Sequence, residues 1–161
     1  MSENERIAVV TGVGRSQGIG FEVCRQLAAE GVTVFLTARN PDAAKAQADQ
    51  LNSENAGKEV RPFSLDITNP DEIKQLDDEL DRSFGKLDIL INNAASVGPF
   101  GEKSASADLE VAVNVLNTTL FGTWRLFQVL LPLLRQSGAG RIVNVSSGAG
   151  SHGDEAFGLT H

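Results

Sequence analysis

Residues 10–20, VTGVGRSQGIG, have the composition of a turn that holds a phosphate group. They join a predicted strand, 6–12, to a predicted helix that begins at Ile19. Glycine lets the backbone turn sharply and approach a pyrophosphate closely, while the helix N-terminus supplies free N–H groups and a partial positive charge. Because strand, glycine-rich turn and helix follow in this order, the segment predicts a dinucleotide site. A plain flexible turn is the alternative interpretation.

Two arginines bear on which dinucleotide would bind. Arg39 follows the predicted second strand, 32–38, at a place where an acidic residue would accept a hydrogen bond from the 2′-hydroxyl of NAD. Arg15 adds a second cation within the glycine-rich turn. A guanidinium suits a phosphate through its planar fork of donors. The pair therefore favours NADP over NAD, and two solvated surface arginines are the alternative.

The elements that would position these residues alternate between β-rich segments and helices. The predicted strands are 6–12, 32–38, 59–66, 87–92 and 140–147. Helices are predicted to begin at Ile19, Pro41 and Pro70, and a long fourth helix is predicted over about 107–135. This alternation predicts an α/β fold with a doubly wound parallel sheet and helices on both faces. Pro62 predicts that the third strand lies at an edge of that sheet.

Several short motifs, taken in order, resemble those of the short-chain dehydrogenase/reductase family. They are Thr11-Gly12 with Gly18-Ile19-Gly20, Asp66-Ile67, Asn92-Asn93-Ala94-Ala95 and Asn144-Val145-Ser146-Ser147. The resemblance covers nearly all of the chain. It implies a Rossmann-like sheet of about five strands in the order 3-2-1-4-5. It also implies that residues 1–161 form a single, incomplete dinucleotide-binding domain that lacks the C-terminal strands of the family.

The resemblance, together with the two arginines, gives a set of candidate cofactor-binding residues. They are Gly12, Arg15, Ser16, Gln17, Gly18, Ile19, Gly20, Arg39, Asp66, Ile67, Asn93 and Ala94. Asp66 and Ile67 would contact the adenine. No metal site is expected.

The glycine-rich turn is two residues longer than the common form of the family. Five residues, 13–17, separate Thr11-Gly12 from Gly18-Ile19-Gly20. This spacing resembles the divergent enoyl-acyl-carrier-protein reductase branch, which usually has serine where Gly18 stands and lacks the two asparagine motifs. The chain therefore resembles carbonyl reductases more closely, and a divergent enoyl-thioester reductase is a further alternative.

The family resemblance implies oxidation or reduction of an alcohol or carbonyl substrate, and the two arginines imply that NADP is the cofactor. In the family a serine holds the substrate carbonyl, a tyrosine donates the proton, and a lysine lowers the pKa of that tyrosine. Ser147 matches the serine, but the chain contains no tyrosine, and no lysine follows Ser147. We therefore expect a truncated enzyme with little or no activity as given, or alternatively a non-catalytic short form that binds a nucleotide or a partner.

The long helix raises two further questions. The family keeps an asparagine there, and alignment places Thr119 at its position, although a shift of the helix by two residues would bring Asn117 there instead. In the family this helix also forms a dimer interface, which implies a homo-oligomer through 107–135. Trp124 and Phe127 are interpreted as core residues. His152 and His161 are interpreted as solvated.

Composition excludes several other classes of function. The net charge of −7 and the pI of about 4.8 leave no basic footprint for nucleic acid. No apolar run is long enough to span a membrane, and the polar N-terminus MSENER is no secretory signal, so the cytoplasm is the expected location. The single cysteine, Cys24, is expected to be buried and inert.

Overall fold

The structure is a computed structural model that describes residues 5–54, 57–99 and 105–150. Its five strands are β1 (Arg6–Val10), β2 (Val32–Ala38), β3 (Val60–Ser64), β4 (Ile89–Asn92) and β5 (Arg141–Asn144). Its α-helices are α1 (Ile19–Ala29), α2 (Pro41–Glu54), α3 (Pro70–Phe84), α4 (Leu109–Leu116) and α5 (Thr123–Gln136). Each predicted strand is present, and most are shorter than the sequence pattern suggested.

The strands form one parallel sheet in the order β3-β2-β1-β4-β5, which confirms the predicted fold. Strand β3, which contains Pro62, lies at one edge as expected, since a proline cannot donate to a second neighbour. The chain builds outward from β1 to β3 and then returns to place β4 on the other side of β1. This reversal opens a crevice at the carboxyl ends of β1 and β4, where ligands bind in open α/β sheets.

Apolar side chains cover both faces of the sheet. One core cluster packs α1 and α2 against β1 and β2, and it includes Cys24, Ala48 and Leu51. The other packs α3 and α5 on the opposite face, and it includes Ile73, Leu80 and Leu126. Successive residues of β1 and β2 are buried, as expected for parallel strands with helices on both sides.

The helix starts follow the capping signals in the sequence. The side chain of Asn40 accepts a hydrogen bond from Ala43 N–H, and that of Asn69 accepts one from Asp71 N–H. These contacts satisfy N–H groups that the first turn of a helix leaves without a partner. Gly85 ends α3 in the left-handed conformation, with φ of 66°.

The long fourth helix departs from its predicted form. A π-helical segment, Asn117–Gly122, separates α4 from α5 within the predicted span. Such wide turns are rare and occur mostly as interruptions of α-helices. Close packing accompanies this one, because a Cβ atom on Gly122 would lie 2.9 Å from the carbonyl oxygen of Ile67.

Asp88 fastens the amino end of the sheet, opposite the crevice. Its carboxylate accepts hydrogen bonds from Ile7 N–H at 2.8 Å and from the Ser137 hydroxyl at 2.5 Å, and it forms an ion pair with Lys86. Burial by itself would raise the pKa of Asp88, but the hydrogen bonds from Ser137 and Ile7 outweigh it, and the pKa lies below its usual value. The charged carboxylate therefore connects β1, the start of β4 and the residue after α5.

No helix in the described part of the chain is long and apolar enough to cross a membrane. Over the same residues, no group of histidine, cysteine, aspartate and glutamate side chains could hold a metal ion.

Candidate functional site

A cleft of about 1080 Å³ lies at the crevice between the carboxyl ends of β1 and β4. Most of the candidate cofactor-binding residues line it, although they come from four separate loops of the sequence. Those lining it are Gly12, Arg15, Gly18, Ile19, Gly20, Arg39, Asp66, Ile67, Asn93 and Ala94. Ser16 and Gln17 belong to the same glycine-rich turn but are exposed outside the lining of the cleft.

Two glycines of the turn allow it to pack directly on the loop after β4. Gly12 has φ of 75°, and a Cβ atom there would lie 2.5 Å from Ala94 Cα. A Cβ atom on Gly20 would lie 2.6 Å from the side-chain nitrogen of Asn93. Any larger residue at either position would push the two walls of the cleft apart.

Helix α1 begins at this turn. Gly18 is the N-cap residue, and no side-chain hydrogen bond caps the helix. The first N–H groups of α1 therefore have no side-chain acceptor of their own, as an anion site at a helix N-terminus requires. No atom lies within 4 Å of the position that a Cβ atom on Gly14 would occupy, which leaves open space beside the turn.

Thr11 and Asn93 join the glycine-rich turn to the end of β4. The buried Thr11 hydroxyl accepts hydrogen bonds from the N–H groups of Asn93 and Ala94, each at 3.0 Å. The Asn93 side chain in turn donates to the carbonyl oxygens of Thr11, at 2.8 Å, and Gly12, at 3.3 Å. Because both side chains are committed to the backbone, they fix the two loops that line the cleft.

The two arginines that favoured NADP both line this cleft and are exposed. Arg15 folds back over the start of α1: its Cγ and Nε atoms lie 3.6 and 3.8 Å from the position of a Cβ atom on Gly18. Within the described residues, neither Arg15 nor Arg39 forms an ion pair. Both guanidinium groups are therefore available to a phosphate.

The loop after β3 is held by its own hydrogen bonds. One carboxylate oxygen of Asp66 accepts from both the N–H and the hydroxyl of Thr68, each at 2.8 Å. The Asp66 N–H donates to Glu72 at 2.6 Å. This Asx-type turn presents Asp66 and the largely buried Ile67 to the cleft.

A second cleft, of about 590 Å³, adjoins the first. Its lining residues are Asn92, Ala94, Ala95, Thr119, Leu120, Thr123, Trp124, Phe127, Ile142, Asn144 and Val145. Apolar side chains dominate, as in most sites for small organic molecules. The side chain of Asn92 donates to that of Asn144 at 2.8 Å, and Asn92 Oδ1 is buried without a hydrogen-bond partner in the described structure.

Sequence reasoning missed this second cleft. The interpretation of Trp124 as a core residue is wrong, because Trp124 is 55% exposed and lines the cleft together with Phe127. Asn92 and Asn144 carried a usable signal, since both end parallel strands that turn out to be neighbours. Thr119, and not Asn117, lines the cleft.

Ser147 is exposed and follows Val145, a lining residue of the second cleft, but it does not itself line either cleft. Its carbonyl oxygen accepts a hydrogen bond from Gly150 N–H at 3.1 Å. His152 and His161 lie outside the described residues.

Comparison with known proteins gives the family directly. The family model for short chain dehydrogenases matches residues 6–158. Short-chain dehydrogenase/reductase 1 of Saponaria officinalis is 36% identical over 91% of this chain and 54% of its own length. Two solved structures each superpose with a TM-score of 0.80. Menthone neomenthol reductase from Mentha piperita is 33% identical over 92% of this chain and 62% of its own. The F189W actinorhodin polyketide ketoreductase with NADPH is 32% identical over 90% of this chain and 54% of its own.

The chain spans about half the length of the curated relatives that it matches. Within that span the family model, the relatives and the strand order agree, and the relatives include reductases and dehydrogenases. The chain therefore belongs to the short-chain dehydrogenase/reductase family, whose members are oxidoreductases.

Proposed function

We propose that the protein binds NADP in the first cleft and is part of an oxidoreductase that acts on a carbonyl or alcohol substrate. The observation that carries this proposal is the convergence of the glycine-rich turn, Arg39, Asp66 and Asn93 on one cleft. Four loops that are far apart in the sequence meet at this cleft. Together they provide N–H donors for a phosphate, a positive charge and a contact for the adenine.

The residues of the cleft fit a dinucleotide. The uncapped start of α1 and the open space beside Gly14 would hold the pyrophosphate. Asp66 and Ile67 would contact the adenine, and Asn93 with Ala94 would contact the ribose next to the nicotinamide. Arg39 and Arg15 would share the 2′-phosphate, which favours NADP over NAD. The solved ketoreductase relative, whose structure contains NADPH, supports the same preference.

The second cleft is the place for the substrate. When bound, the nicotinamide supplies or accepts the hydride. Ser147 lies outside the lining of this cleft, two residues beyond the lining residue Val145. From there it would donate a hydrogen bond to the substrate oxygen and stabilise the negative charge that develops on it. Leu120, Trp124 and Phe127 would exclude water from the reacting groups.

We propose that the 161-residue chain by itself has little or no reductase activity. It contains no tyrosine, and no lysine follows Ser147, so the acid that the family uses is missing from these residues. A non-catalytic nucleotide-binding or partner-binding role is the alternative, and an enoyl-thioester reductase is the alternative that the longer glycine-rich turn raises.

An apolar stripe on α4 supports the proposed homo-oligomer. Its members are Leu109, Val113 and Leu116, all of them exposed and none of them in the lining of either cleft. Their spacing of three and four residues places them on one side of the helical stretch, where a second copy could cover them. Molar mass from light scattering across a concentration series tests this, and a constant monomer mass would contradict it.

Calorimetric titration of the purified chain with NADPH, and separately with NADH, tests the proposed function. We expect saturable binding that is tighter for NADPH. Absence of binding for both dinucleotides would contradict the proposal. NADPH oxidation is then followed with a panel of ketones, aldehydes and enoyl thioesters, and turnover at an ordinary enzymatic rate would contradict the proposed inactivity. Turnover of the enoyl thioesters alone would favour the enoyl-thioester reductase.

A further inference from the structure

The π-helical segment Asn117–Gly122 lies between the two clefts and contributes to both. Thr118 lines the first cleft, whereas Thr119 and Leu120 line the second. In a regular α-helix consecutive residues point about 100° apart, and the wider π turn changes which neighbours each residue can reach. Interruptions of this type are frequent at functional sites.

Thr119 makes two hydrogen bonds to the backbone of one residue across the clefts. Its hydroxyl accepts from Ser96 N–H and donates to the Ser96 carbonyl oxygen, both at 3.2 Å. Ser96 lines the first cleft, and the preceding Ala94 and Ala95 line both clefts. A side chain in the wall of the second cleft thus holds the wall that the two clefts share.

The other end of the π-helical segment is anchored on the first cleft as well. Gly122 is buried, and a Cβ atom there would lie 2.9 Å from both Cγ1 and the carbonyl oxygen of Ile67. Ile67 lines the first cleft beside Asp66. The segment is therefore in contact with the first cleft at two points, Ile67 and Ser96, while Thr119 and Leu120 face the second.

We propose that Thr119 is a positioning residue that couples the two clefts. Through its two bonds to Ser96 it holds the loop 93–97 in the form that binds the dinucleotide. Because the same bonds tie this loop to the wall of the second cleft, a dinucleotide that occupies the first cleft also restrains the wall that carries Trp124. The inference rests on the proposed function in one respect, namely that a dinucleotide occupies the first cleft.

The chain carries a natural reporter for this coupling. Trp124 is the only tryptophan, and it lines the second cleft. Since the chain contains no tyrosine, emission from the protein on near-ultraviolet excitation reports almost entirely on this one indole. NADP⁺ is the suitable probe, because the oxidised dinucleotide does not absorb in the range of tryptophan emission.

The experiment compares NADP⁺ binding to the wild-type chain with binding to T119V and T119S. Valine keeps the shape of threonine but removes both hydrogen bonds, while serine keeps the hydroxyl. We expect T119V to bind NADP⁺ about three- to tenfold more weakly, as the loss of two exposed hydrogen bonds implies. We also expect it to lose most of the change in Trp124 emission. T119S should bind within about twofold of the wild-type chain and keep that change.

Calorimetry gives the dissociation constants, emission at saturating NADP⁺ gives the coupling, and thermal unfolding without ligand checks each fold. Thr119 is exposed, so both variants should fold, and T119A serves as a second hydroxyl-free variant.

If wild-type chain and T119V share the same dissociation constant and the same emission change, the coupling is overturned while the proposed function stands. If T119S fails in the same way as T119V, the hydrogen bonds are not responsible. Failure of the wild-type chain to bind NADP⁺ and NAD⁺ overturns the proposed function itself.

Discussion

Asn93 and Thr11 hold each other through backbone and side chain at once. The Thr11 hydroxyl accepts from Asn93 N–H at 3.0 Å, and the Asn93 side chain donates to the Thr11 carbonyl oxygen at 2.8 Å. The two residues are 82 positions apart in the chain, yet they join the first loop of the sheet to the fourth. The pair therefore fixes the separation of two loops that line the first cleft.

Replacement of Thr11 by valine should destabilise the protein. Valine fits the volume but leaves the N–H groups of Asn93 and Ala94 without their acceptor, and such a loss lowers the free energy of unfolding by about 1–3 kcal/mol. Urea unfolding measures the change in the free energy of unfolding, and T11S is the control that keeps the hydroxyl. Equal stability of T11V and T11S would show that water replaces the hydroxyl without penalty.

Alanine at Gly12 or Gly20 should weaken dinucleotide binding and lower stability. The added Cβ atom would lie within 2.5 Å of Ala94 Cα or within 2.6 Å of the Asn93 side chain, and Gly12 in addition has a positive φ. G14A is the matched control for stability, because no atom lies within 4 Å of its Cβ position, and it should change the free energy of unfolding by less than about 0.5 kcal/mol. Thermal unfolding with and without NADPH distinguishes the three variants. A G12A protein as stable as G14A would argue against the close packing described above.

Reversal of charge at Arg39 should change the preference between dinucleotides. A glutamate there would repel the 2′-phosphate and could accept from a 2′-hydroxyl, so R39E should lose at least about tenfold in NADPH affinity, or roughly 1.4 kcal/mol, and gain for NADH. R135E changes the net charge equally at an exposed residue that lines neither cleft. If both variants lose NADPH affinity to the same degree, only the overall charge matters.

Stability in acid should depend on Asp88. Its pKa in the folded protein lies below its usual value, so its contribution is present above the pKa of the unfolded chain and is lost as the pH falls below about 4. D88N removes the charged acceptor and should therefore be less stable at neutral pH, by about 1–3 kcal/mol. The difference in unfolding free energy between wild-type protein and D88N, measured by urea from pH 7 downward, should shrink in acid. A difference that stays constant would mean that the carboxylate charge contributes nothing.

Cys24 should be unreactive in the folded protein. It is completely buried, and burial raises the pKa of its thiol to about 12, so the reactive thiolate is scarce at neutral pH. Maleimide labelling should proceed orders of magnitude more slowly than in urea-unfolded protein. C24A, which cannot be labelled, provides the blank. Labelling of the native protein at the rate of a free thiol would contradict the described packing.

Local signals predicted most of the fold. Alternation of strands and helices predicted the parallel sheet, Pro41 and Pro70 marked the first residues of two helices, and Pro62 marked the edge strand. These residues act through backbone constraints on their immediate neighbours, which the sequence displays directly. The glycine-rich turn could be predicted for the same reason, since the strand before it and the helix after it are its immediate neighbours in the sequence.

The second cleft and the π-helical segment could not be predicted in this way. The segment is defined by packing of Gly122 on Ile67 and by the contact of Thr119 with Ser96, which bring together residues from distant loops. No local propensity distinguishes a π turn from an α turn in a run such as NTTLFG. The prediction that Trp124 is a core residue failed for a related reason. Helical periodicity tells which residues share a face of the helix, but not whether other parts of the protein pack against that face.

The two ends of the contact between β1 and β4 are fastened independently, by Asp88 at the amino end and by Thr11 with Asn93 at the carboxyl end. Because hydrogen bonds hold both ends of this strand pair, β1 and β4 cannot easily slide along each other. Amide hydrogens of β1 and β4 should therefore exchange with solvent among the slowest in the molecule. Any deformation on ligand binding is then confined to the loops beyond the ends of the strands, while the sheet beneath them stays rigid.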